Sequence, residues 1–470
     1  MSDVQAGPEA PPKGMPAEFG LGTAVFVIVA SMVGTGVLTT SGFTVLAVGS
    51  NELMLWLWVI GGLVAACGAL TLCELTAALP KTGGDYVYLH AAYGPLVAFL
   101  SGWVSFLIGF AAPSASSAFG AAKYLTAPVG LDPGTAELWQ RGIGSVLVLV
   151  FALIHVSGRR QTAQVQGWIT ALKLVLLGLF VIAGVAAGWQ NFGRLADRPP
   201  LGETPVVPMM FSLVYIAYAY IGWNAASYLA GEFVDPQRQL PRAILAGTFG
   251  VMVLYLGLNV VYALALSAGD VQALVKASGD PPNPGVVAPI AEIAARRLFR
   301  ESVAGPWSVA VGLMLLSSLS AYVLTGPRVI YAMAAAGQFP SVAGRLTRKS
   351  GTPAVATVLQ TAATLGMLWS GSFDSLIIYA GVGLSIFSML AISAVYVLRV
   401  RRPELPRPFR TPGYPVTPAV FLLGTSVLTG AAFWERPAVS LYALGTILLG
   451  VPLFYIWRWL AGPKTNVSPS

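Results

Sequence analysis

The sequence predicts an all-α polytopic membrane protein with twelve transmembrane helices. Of its 470 residues, 56% are hydrophobic and only 10% are charged, whereas about 25% of residues are charged in a typical soluble domain. Apolar runs that could cross a hydrocarbon core, which takes about 20 helical residues, recur along the whole chain. Most Lys and Arg residues fall between these runs, so membrane topology explains the net charge of +8 better than nucleic-acid binding does.

Hydropathy gives the order of the helices and approximate bounds. The predicted spans are 19–49, 52–79, 95–124, 140–157, 163–189, 206–231, 243–267, 305–337, 353–369, 374–398, 416–433 and 439–460.

An even number of spans puts both termini on one side, and the positive-inside rule assigns that side to the cytoplasm. We therefore expect a multi-pass protein of the plasma (inner) membrane. The predicted inner loops carry Lys81, Arg159, Arg160, Arg238, Arg242, Arg345, Arg348, Lys349, Arg399, Arg401, Arg402, Arg407 and Arg410. The predicted outer loops carry Arg141, Arg194, Arg198, Arg296, Arg297 and Arg300.

Glycine interrupts two of the predicted spans. Gly34-Thr35-Gly36 lies in the first span and Gly222-Trp223-Asn224 in the sixth, five spans later. Glycine also permits close helix packing, which would explain either interruption by itself. Matched interruptions favour two inverted five-helix repeats with discontinuous helices 1 and 6, because unwound backbone at membrane depth is tolerated beside a cavity.

The chain carries no pattern typical of a membrane enzyme or an ATP-driven pump. His90 and His155 are its only histidines, and it contains neither HExxH nor GxxxxGK[ST]. We expect no enzymatic activity, no cofactor and no metal, and energy drawn from a gradient or from exchange. These features favour a secondary transporter. A nutrient sensor built on a transporter scaffold is the alternative from another functional class.

Five stretches of the chain are distinctive: SMVGTGV, ELTAALPKTGGDYVYLHAAYGPL, AYIGWNAASYLAGEFVDPQRQLPRAI, LTGPRVIYAMAAAGQFP and RPFRTPGYPV. They resemble the amino acid, polyamine and organocation permease superfamily, and bacterial relatives of the L-type amino acid transporters in particular. The resemblance extends from about residue 19 to residue 460. It implies a LeuT-like fold, an amino acid substrate and alternating access.

This resemblance divides the chain into four parts. Residues 1–18 are polar and Pro-rich and lack a secretory signal pattern, so we expect a disordered cytoplasmic tail. Residues 19–398 would form the inverted-repeat transport core, helices 1–10. Residues 399–460 would hold helices 11 and 12 with a basic cytoplasmic loop, and residues 461–470 a second cytoplasmic tail.

The resemblance also assigns the groups that bind an amino acid zwitterion. Thr35 and Gly36 would bind its carboxylate at the amino end of a half-helix, where free N–H groups and the helix dipole favour an anion. The carbonyls of Met32, Tyr218 and Ile221 would accept from its ammonium. The alternatives are a Thr35 hydroxyl bonded to its own helix and a Tyr218 ring that only packs.

Three side chains at the sixth-span break are expected to set specificity. Tyr220, Trp223 and Asn224 are uncharged, and cationic-substrate relatives can carry a carboxylate at the position that matches Asn224. Neutral L-amino acids are therefore the predicted substrates, with cationic amino acids or polyamines as the alternative. For Trp223, packing against a neighbouring helix is a further alternative.

Lys173 lies inside the fifth span, where an ammonium needs a partner. In the resembling family this lysine takes the place of a sodium ion. It would donate to carbonyls near Met32 and Val33 and to a hydroxyl such as Ser317 or Ser320, which makes transport sodium-independent. Proton release during the cycle and a snorkelling side chain are the alternatives.

Four further residues are candidates for an inner gate. Glu74 and Glu232 lie near the inner ends of their spans and Arg328 lies within the eighth, although such groups are often only solvated. Tyr255 matches a family tyrosine near broken helix 1, and core packing is its alternative. The sequence leaves open an exchanger (antiporter) or a proton symporter.

The cysteine content bears on protein partners. Some relatives join a glycoprotein through an outer-loop cysteine, whereas Cys67 and Cys73 both fall within the second span. We therefore expect no obligatory protein partner. The expected partners are the amino acid, the lipid bilayer and, for a symporter, protons.

Overall fold

The computed structural model describes residues 17–129, 131–197, 206–279, 281–287, 289–299, 301–370 and 373–460. The described secondary structure is helical apart from one isolated β-bridge, which joins Phe19 and Phe233. Of the predicted tails, 1–18 and 461–470, only Ala17 and Glu18 lie within the described residues.

Seventeen α-helices follow one another along the described chain. They are α1 (Leu21–Met32), α2 (Thr35–Val48), α3 (Asn51–Ala78), α4 (Asp85–Tyr93), α5 (Pro95–Val104), α6 (Ala112–Thr126), α7 (Pro133–Ser157), α8 (Arg159–Ala187), α9 (Val206–Tyr220), α10 (Pro236–Ala265), α11 (Ala268–Lys276), α12 (Ile290–Phe299), α13 (Ala304–Ala335), α14 (Ala354–Ser370), α15 (Phe373–Arg401), α16 (Val416–Glu435) and α17 (Pro437–Leu460). A π-helical stretch, Ser105–Ala111, joins α5 to α6, and a 3-10 segment, Ala225–Glu232, follows α9 after a short break.

Local sequence explains where several helices begin. The Ser50 hydroxyl accepts from the Leu53 amide at the start of α3, and Asp132 caps α7 through the Gly134 amide. Ser267 forms a capping box with Asp270 at the start of α11. These side chains satisfy amide groups that the first turn of a helix leaves without an internal partner.

Eleven helical stretches in the described part of the chain are long and apolar enough to cross a membrane. The first comprises α1 and α2, the third comprises α5, the π-helical stretch and α6, and the sixth comprises α9 and the 3-10 segment. Helix α14 is also apolar but has 17 residues. The prediction of an all-α polytopic membrane protein is confirmed.

The first of the two interrupted spans lies in the interior of the helical bundle. Helix α1 packs against α8, α10 and α13, and α2 packs against α9. In the first span 72% of the most apolar window is buried, against 22% in the fourth span, formed by α7. The apolar surface of α7 therefore faces outward, towards lipid, while α1 and α2 are enclosed by protein.

Candidate binding site between two broken helices

The first span is broken between α1 and α2. Helix α1 ends at Met32, and Val33 and Gly34 have non-helical backbone angles before α2 begins at Thr35. No side chain caps the amino end of α2. Its first amide groups therefore point into the break, where they and the helix dipole favour an anion.

The sixth span is broken between α9 and the 3-10 segment. Helix α9 ends at Tyr220, and Gly222 adopts a φ of 118°, which side-chain-bearing residues rarely adopt. The Ile221 amide donates to the Tyr218 carbonyl at 3.1 Å. The Ile221 carbonyl accepts no hydrogen bond from the described residues and is left as a free acceptor.

The two breaks touch each other. A Cβ atom added to Gly222 would lie 2.8 Å from the Ser31 carbonyl carbon and 2.9 Å from the Met32 nitrogen. A Cβ added to Gly36 would lie 2.7 Å from the Ala219 Cβ. Glycine at both positions therefore allows the backbones of the two spans to approach closely.

A cavity opens at the point where the breaks meet. Its walls come from both broken spans, from the π-helical stretch and α6, and from α13 and α15. The lining residues are Ser31, Met32, Gly34, Thr35, Gly36, Gly109, Phe110, Pro113, Ser117, Tyr218, Ala219, Ile221, Gly222, Asn224, Ala225, Tyr228, Tyr322, Leu384 and Ser388. None of these side chains carries a charge.

Most of the predicted binding residues meet in this cavity. Met32, Thr35, Gly36, Tyr218 and Ile221 all line it. The Thr35 side chain interacts with the Tyr218 phenol. Their hydroxyls therefore face each other across the break.

The side chains predicted to set specificity separate into two groups. Asn224 lines the cavity, whereas Trp223 does not. The Trp223 ring lies edge-on against Phe421, with centroids 5.8 Å apart, and borders a neighbouring cavity beside α3 and α16. Tyr220 also turns away and donates to the Trp58 carbonyl at 3.2 Å. The interpretation of Trp223 as a packing residue agrees with this geometry.

Lys173 binds the carboxyl end of α1. Its Nζ donates to the Val33 carbonyl at 2.6 Å and to the Ser318 hydroxyl at 2.8 Å, and it lies 3.5 Å from the Ala30 carbonyl. Ser318 also donates to the Val33 carbonyl, at 2.9 Å. Because Lys173 is only 1% exposed, the snorkelling alternative is wrong.

The hydroxyl that meets Lys173 is not one of the two predicted. Ser317 bonds to Thr170 at 3.0 Å, and Ser320 bonds to the His155 ring at 3.0 Å. Residues three apart share a helix face, whereas the next residue is turned by about 100°. The sequence correctly indicated a serine of α13, but the helix phase selects Ser318.

Two phenols satisfy the other carbonyls at the end of α1. The Tyr255 hydroxyl lies 2.6 Å from the Met32 carbonyl and 2.9 Å from the Ala219 carbonyl, so it bridges the two broken spans. The Tyr322 hydroxyl donates to the Ser31 carbonyl at 2.7 Å. Tyr255 thus lies near broken helix 1, as expected from its match to the family tyrosine.

Arg328 and Glu232 form a fully buried ion pair. Arg328 Nε lies 2.9 Å from one Glu232 oxygen and Nη2 lies 3.2 Å from the other. Their side chains are 1% and 0% exposed. The Glu232 carbonyl also accepts from the amides of Glu18 and Phe19, each at 2.9 Å. The end of the sixth span is therefore fastened both to α13 and to the chain that enters α1.

Glu74 belongs to a separate cluster at the end of α3. It accepts from Arg399 at 2.8 and 2.7 Å and from the Thr411 amide and hydroxyl at 2.8 and 2.7 Å. Arg407 lies 3.4 Å away. This carboxylate therefore joins α3 to α15 and to the loop before α16, and does not contact the Arg328 pair.

Sequence reasoning missed Tyr322 and Tyr228, which line the cavity, and Asp85, whose carboxylate accepts from the Tyr228 hydroxyl at 3.3 Å. Tyr322 lies within the apolar eighth span, where a phenol needs a hydrogen-bond partner, and this could have marked it. Asp85 follows Gly84 outside the predicted spans, so a search for ionisable groups within the membrane passes over it.

The fold defines a class of protein: a multi-pass membrane protein with a cavity between two broken helices. The chain belongs to the amino acid permease family, whose match covers residues 19–461. Family membership confirms the predicted amino acid transport and the interpretation of the chain as a permease and not an enzyme.

Individual relatives cover almost the whole chain. The large neutral amino acids transporter small subunit 2 of Homo sapiens is 28% identical over 484 residues, which covers 98% of this chain and 85% of that protein. The Asc-type amino acid transporter 1 of Mus musculus is 28% identical, and the match covers 95% of this chain and 82% of that protein. The serine/threonine exchanger SteT of Bacillus subtilis (strain 168) is also 28% identical, and the match covers 94% of this chain and 97% of that protein.

Proposed function

We propose that this permease carries neutral L-amino acids across the plasma (inner) membrane by alternating access, without sodium. The observation that carries the proposal is an uncharged cavity where two broken helices meet, with free amide groups on one side and carbonyls on the other. A zwitterion needs both, since an unpaired ion in a low-dielectric site is very costly.

Each end of the zwitterion has its own partners in this proposal. The amino end of α2, at Thr35 and Gly36, binds the carboxylate. The carbonyls of Met32, Tyr218 and Ile221 accept from the ammonium, and the unpartnered Ile221 oxygen supports this direction.

The substrate side chain then faces Asn224 and the remaining cavity wall. Since no lining residue is charged, a lysine or arginine side chain would enter without a counter-ion. The relatives' names support neutral substrates: large neutral amino acids for one relative, and serine and threonine for another.

Sodium independence rests on Lys173. Its ammonium supplies a fixed positive charge to the Val33 carbonyl and the Ser318 hydroxyl, in the place that sodium holds in coupled relatives. The name of SteT supports exchange. Proton symport is the other mode, with Lys173 as the group that would release a proton.

For topology, we propose twelve spans, with α14 as the ninth and both termini in the cytoplasm. Helices 1–5 and 6–10, residues 19–398, would form a LeuT-like inverted repeat, which is supported by the breaks in the first and sixth spans. Helices 11 and 12, residues 399–460, would lie outside this core, between the cytoplasmic tails 1–18 and 461–470.

We also propose that the chain transports without an obligatory protein partner. The words "small subunit" describe a relative. In this chain Cys67 and Cys73 lie within α3, so neither is offered by a loop for an intermolecular disulfide.

The test is uptake into liposomes that contain this chain as their only protein. We expect labelled alanine, serine or leucine to enter, faster with internal amino acid, and at an unchanged rate when choline replaces sodium. Stimulation by an inward proton gradient without internal amino acid would select symport. Uptake that requires sodium, or that occurs only with arginine or spermidine, would contradict the proposal.

A further inference from the structure

A buried carboxylate lies directly behind the cavity wall. Asp85 is the first residue of α4, which lies between the second and third spans, and it is 4% exposed. Its Oδ2 accepts from Asn224 Nδ2 at 2.9 Å and from the Tyr228 hydroxyl at 3.3 Å. Both donors line the cavity, whereas Asp85 does not. Hydrogen bonds from Asp85 can therefore reach a bound substrate only through these two side chains.

An ionised carboxylate fixes the direction in which the Asn224 amide points. A carboxylate only accepts hydrogen bonds, so Asn224 must present its NH2 group to Asp85. The other amide atom, Asn224 Oδ1, has no partner among the described residues and is not enclosed. With Asp85 ionised, Asn224 is consequently an acceptor towards the cavity. A protonated Asp85 can donate, and the amide is then free to turn its NH2 group to the cavity.

Within the described part of the chain, no basic side chain forms an ion pair with Asp85. On α4 itself the ionisable groups are the phenols of Tyr86, Tyr88 and Tyr93 and the ring of His90, which is exposed. The 3-10 segment contributes the Tyr228 phenol. Asp85 therefore meets phenols and an amide, and no compensating cation.

The arginines of the neighbouring helices α13 and α15 bind other groups and do not neutralise Asp85. Arg328 of α13 is bound to Glu232, Arg399 of α15 to Glu74, and Arg401 to the Ala92 carbonyl. The other ionisable residues of α13 and α15 are Asp374, in the first turn of α15, and the tyrosines Tyr322, Tyr331, Tyr379 and Tyr396. Burial without a cation raises the pKa of Asp85 to about 6, against the opposing effect of the Asn224 and Tyr228 hydrogen bonds.

We propose that Asp85 is a positioning residue for substrate binding, which holds the Asn224 amide so that its oxygen faces a hydrogen-bond donor of the substrate. This inference rests on the proposed neutral amino acid site and adds a proton-controlled element to it. Above the pKa the carboxylate holds the acceptor in place. Below it the hold is released, so affinity falls as the medium becomes acidic.

The test measures the Kd of a labelled neutral amino acid on the purified chain between pH 5 and pH 8. If only the ionised form holds Asn224 correctly, the apparent Kd rises about tenfold from pH 8 to pH 5, because about one tenth of Asp85 is then ionised. Asp85→Asn, which cannot titrate, should bind about tenfold more weakly at pH 8 and show no dependence on pH.

A double-variant comparison separates positioning from a merely structural role. Asn224→Ala should remove the pH dependence although Asp85 is retained, and Asp85→Asn should add no further loss in that background. His90→Gln and Asp270→Asn are matched controls that remove another titratable group and another carboxylate. Both should keep the wild-type profile. If Asp85→Asn does not fold, Asn224→Ala still decides, since it must flatten the profile by itself.

Two results would overturn the inference and leave the proposed function intact. One is a wild-type pH profile in Asp85→Asn or in Asn224→Ala. The other is an equal loss of affinity on Asp85→Asn with and without the Asn224 amide. A wild-type chain that binds no neutral amino acid at any pH would overturn the proposed function, and the inference with it.

Discussion

Lys173 supplies hydrogen bonds that the break in the first span removes. The last carbonyls of a helix have no internal partner, and in an apolar interior each needs one from elsewhere. Here Lys173 and Ser318 converge on the Val33 carbonyl, while Tyr322 serves the Ser31 carbonyl. The side chains of α8 and α13 thus hold the end of α1 in its unwound form.

Lys173→Met should lower both stability and transport. Methionine fills a similar volume but donates nothing, and a buried acceptor that loses its partner costs about 1–3 kcal/mol. We expect a lower unfolding temperature in detergent and at least a tenfold loss of alanine uptake. Lys123→Met, at an exposed lysine of α6, is the control and should leave both unchanged. Full uptake by Lys173→Met would show that the ammonium is dispensable.

Residue types indicated much of the site, but the direction in which each helix face points and the packing of distant segments decided the rest. A glycine interruption and a lysine within an apolar span are visible without coordinates, and the family resemblance assigned roles to Thr35, Gly36 and Lys173. The sequence could not choose Ser318 over its neighbours, since all three serines satisfy the same chemical requirement. Nor could it pair Asp85 with Asn224, because this contact joins residues 139 positions apart.

At the scale of elements, the two broken spans can approach closely because glycine has no Cβ atom at the point of contact. Gly222 combines a φ of 118° with a backbone contact to α1, and a Cβ at this position would overlap the Ser31 carbonyl group. Backbone atoms cannot move aside as a flexible side chain can. The sixth-span break and the end of α1 must therefore shift together if either changes.

Gly222→Ala should disrupt the cavity. The substitution combines a disfavoured backbone conformation, which costs about 1–3 kcal/mol, with a clash that moves α1. Substrate affinity should fall at least tenfold, as measured by equilibrium binding. Gly250→Ala lies in α10 with no atom near the added Cβ and should be neutral or slightly stabilising. Equal affinity in the two variants would contradict the proposed role of the break.

Hydropathy predicted the long helices well because they are matched to the bilayer. The predicted span 163–189 corresponds to α8, and 305–337 to α13. The short helices α4, α11 and α12 were not predicted, since their 9 or 10 residues mix polar and apolar side chains and fall outside any spanning window. The α4 helix carries Asp85, so this omission and the missed residue have one cause.

At the scale of the whole molecule, Glu232 connects three distant parts of the chain. Its side chain binds Arg328 of α13, and its carbonyl holds the strand-like entry to α1 at Glu18 and Phe19. The Phe19 and Phe233 rings pack edge to face beside this bridge, 5.8 Å apart. Any outward movement at this end of either broken span must break these contacts together, which is what a gate requires.

Arg328→Met should be strongly destabilising, because it leaves the Glu232 carboxylate buried without a cation, at a cost of about 3–5 kcal/mol. Adding Glu232→Leu should restore most of the unfolding temperature, since an apolar pair can replace a buried ion pair. If the pair acts as a gate, this double variant should also release loaded amino acid without external substrate.

The exposed pair of Arg238 and Asp235, 4.0 Å apart, provides the control: Arg238→Met should change neither property. If the double variant, like the wild type, retains loaded amino acid until external substrate is added, Arg328 and Glu232 contribute to stability alone.

The Tyr255 hydroxyl carries a single hydrogen, yet it lies between two carbonyl oxygens, at 2.6 Å from Met32 and 2.9 Å from Ala219. One proton cannot fully satisfy both, although the Gly34 amide also donates to the Met32 carbonyl at 2.9 Å, and the Ile221 oxygen has no donor among the described residues. The protein therefore supplies fewer protons than its acceptors require at this point. An ammonium brings three, so its arrival would balance the count and leave Tyr255 free to bond one helix alone.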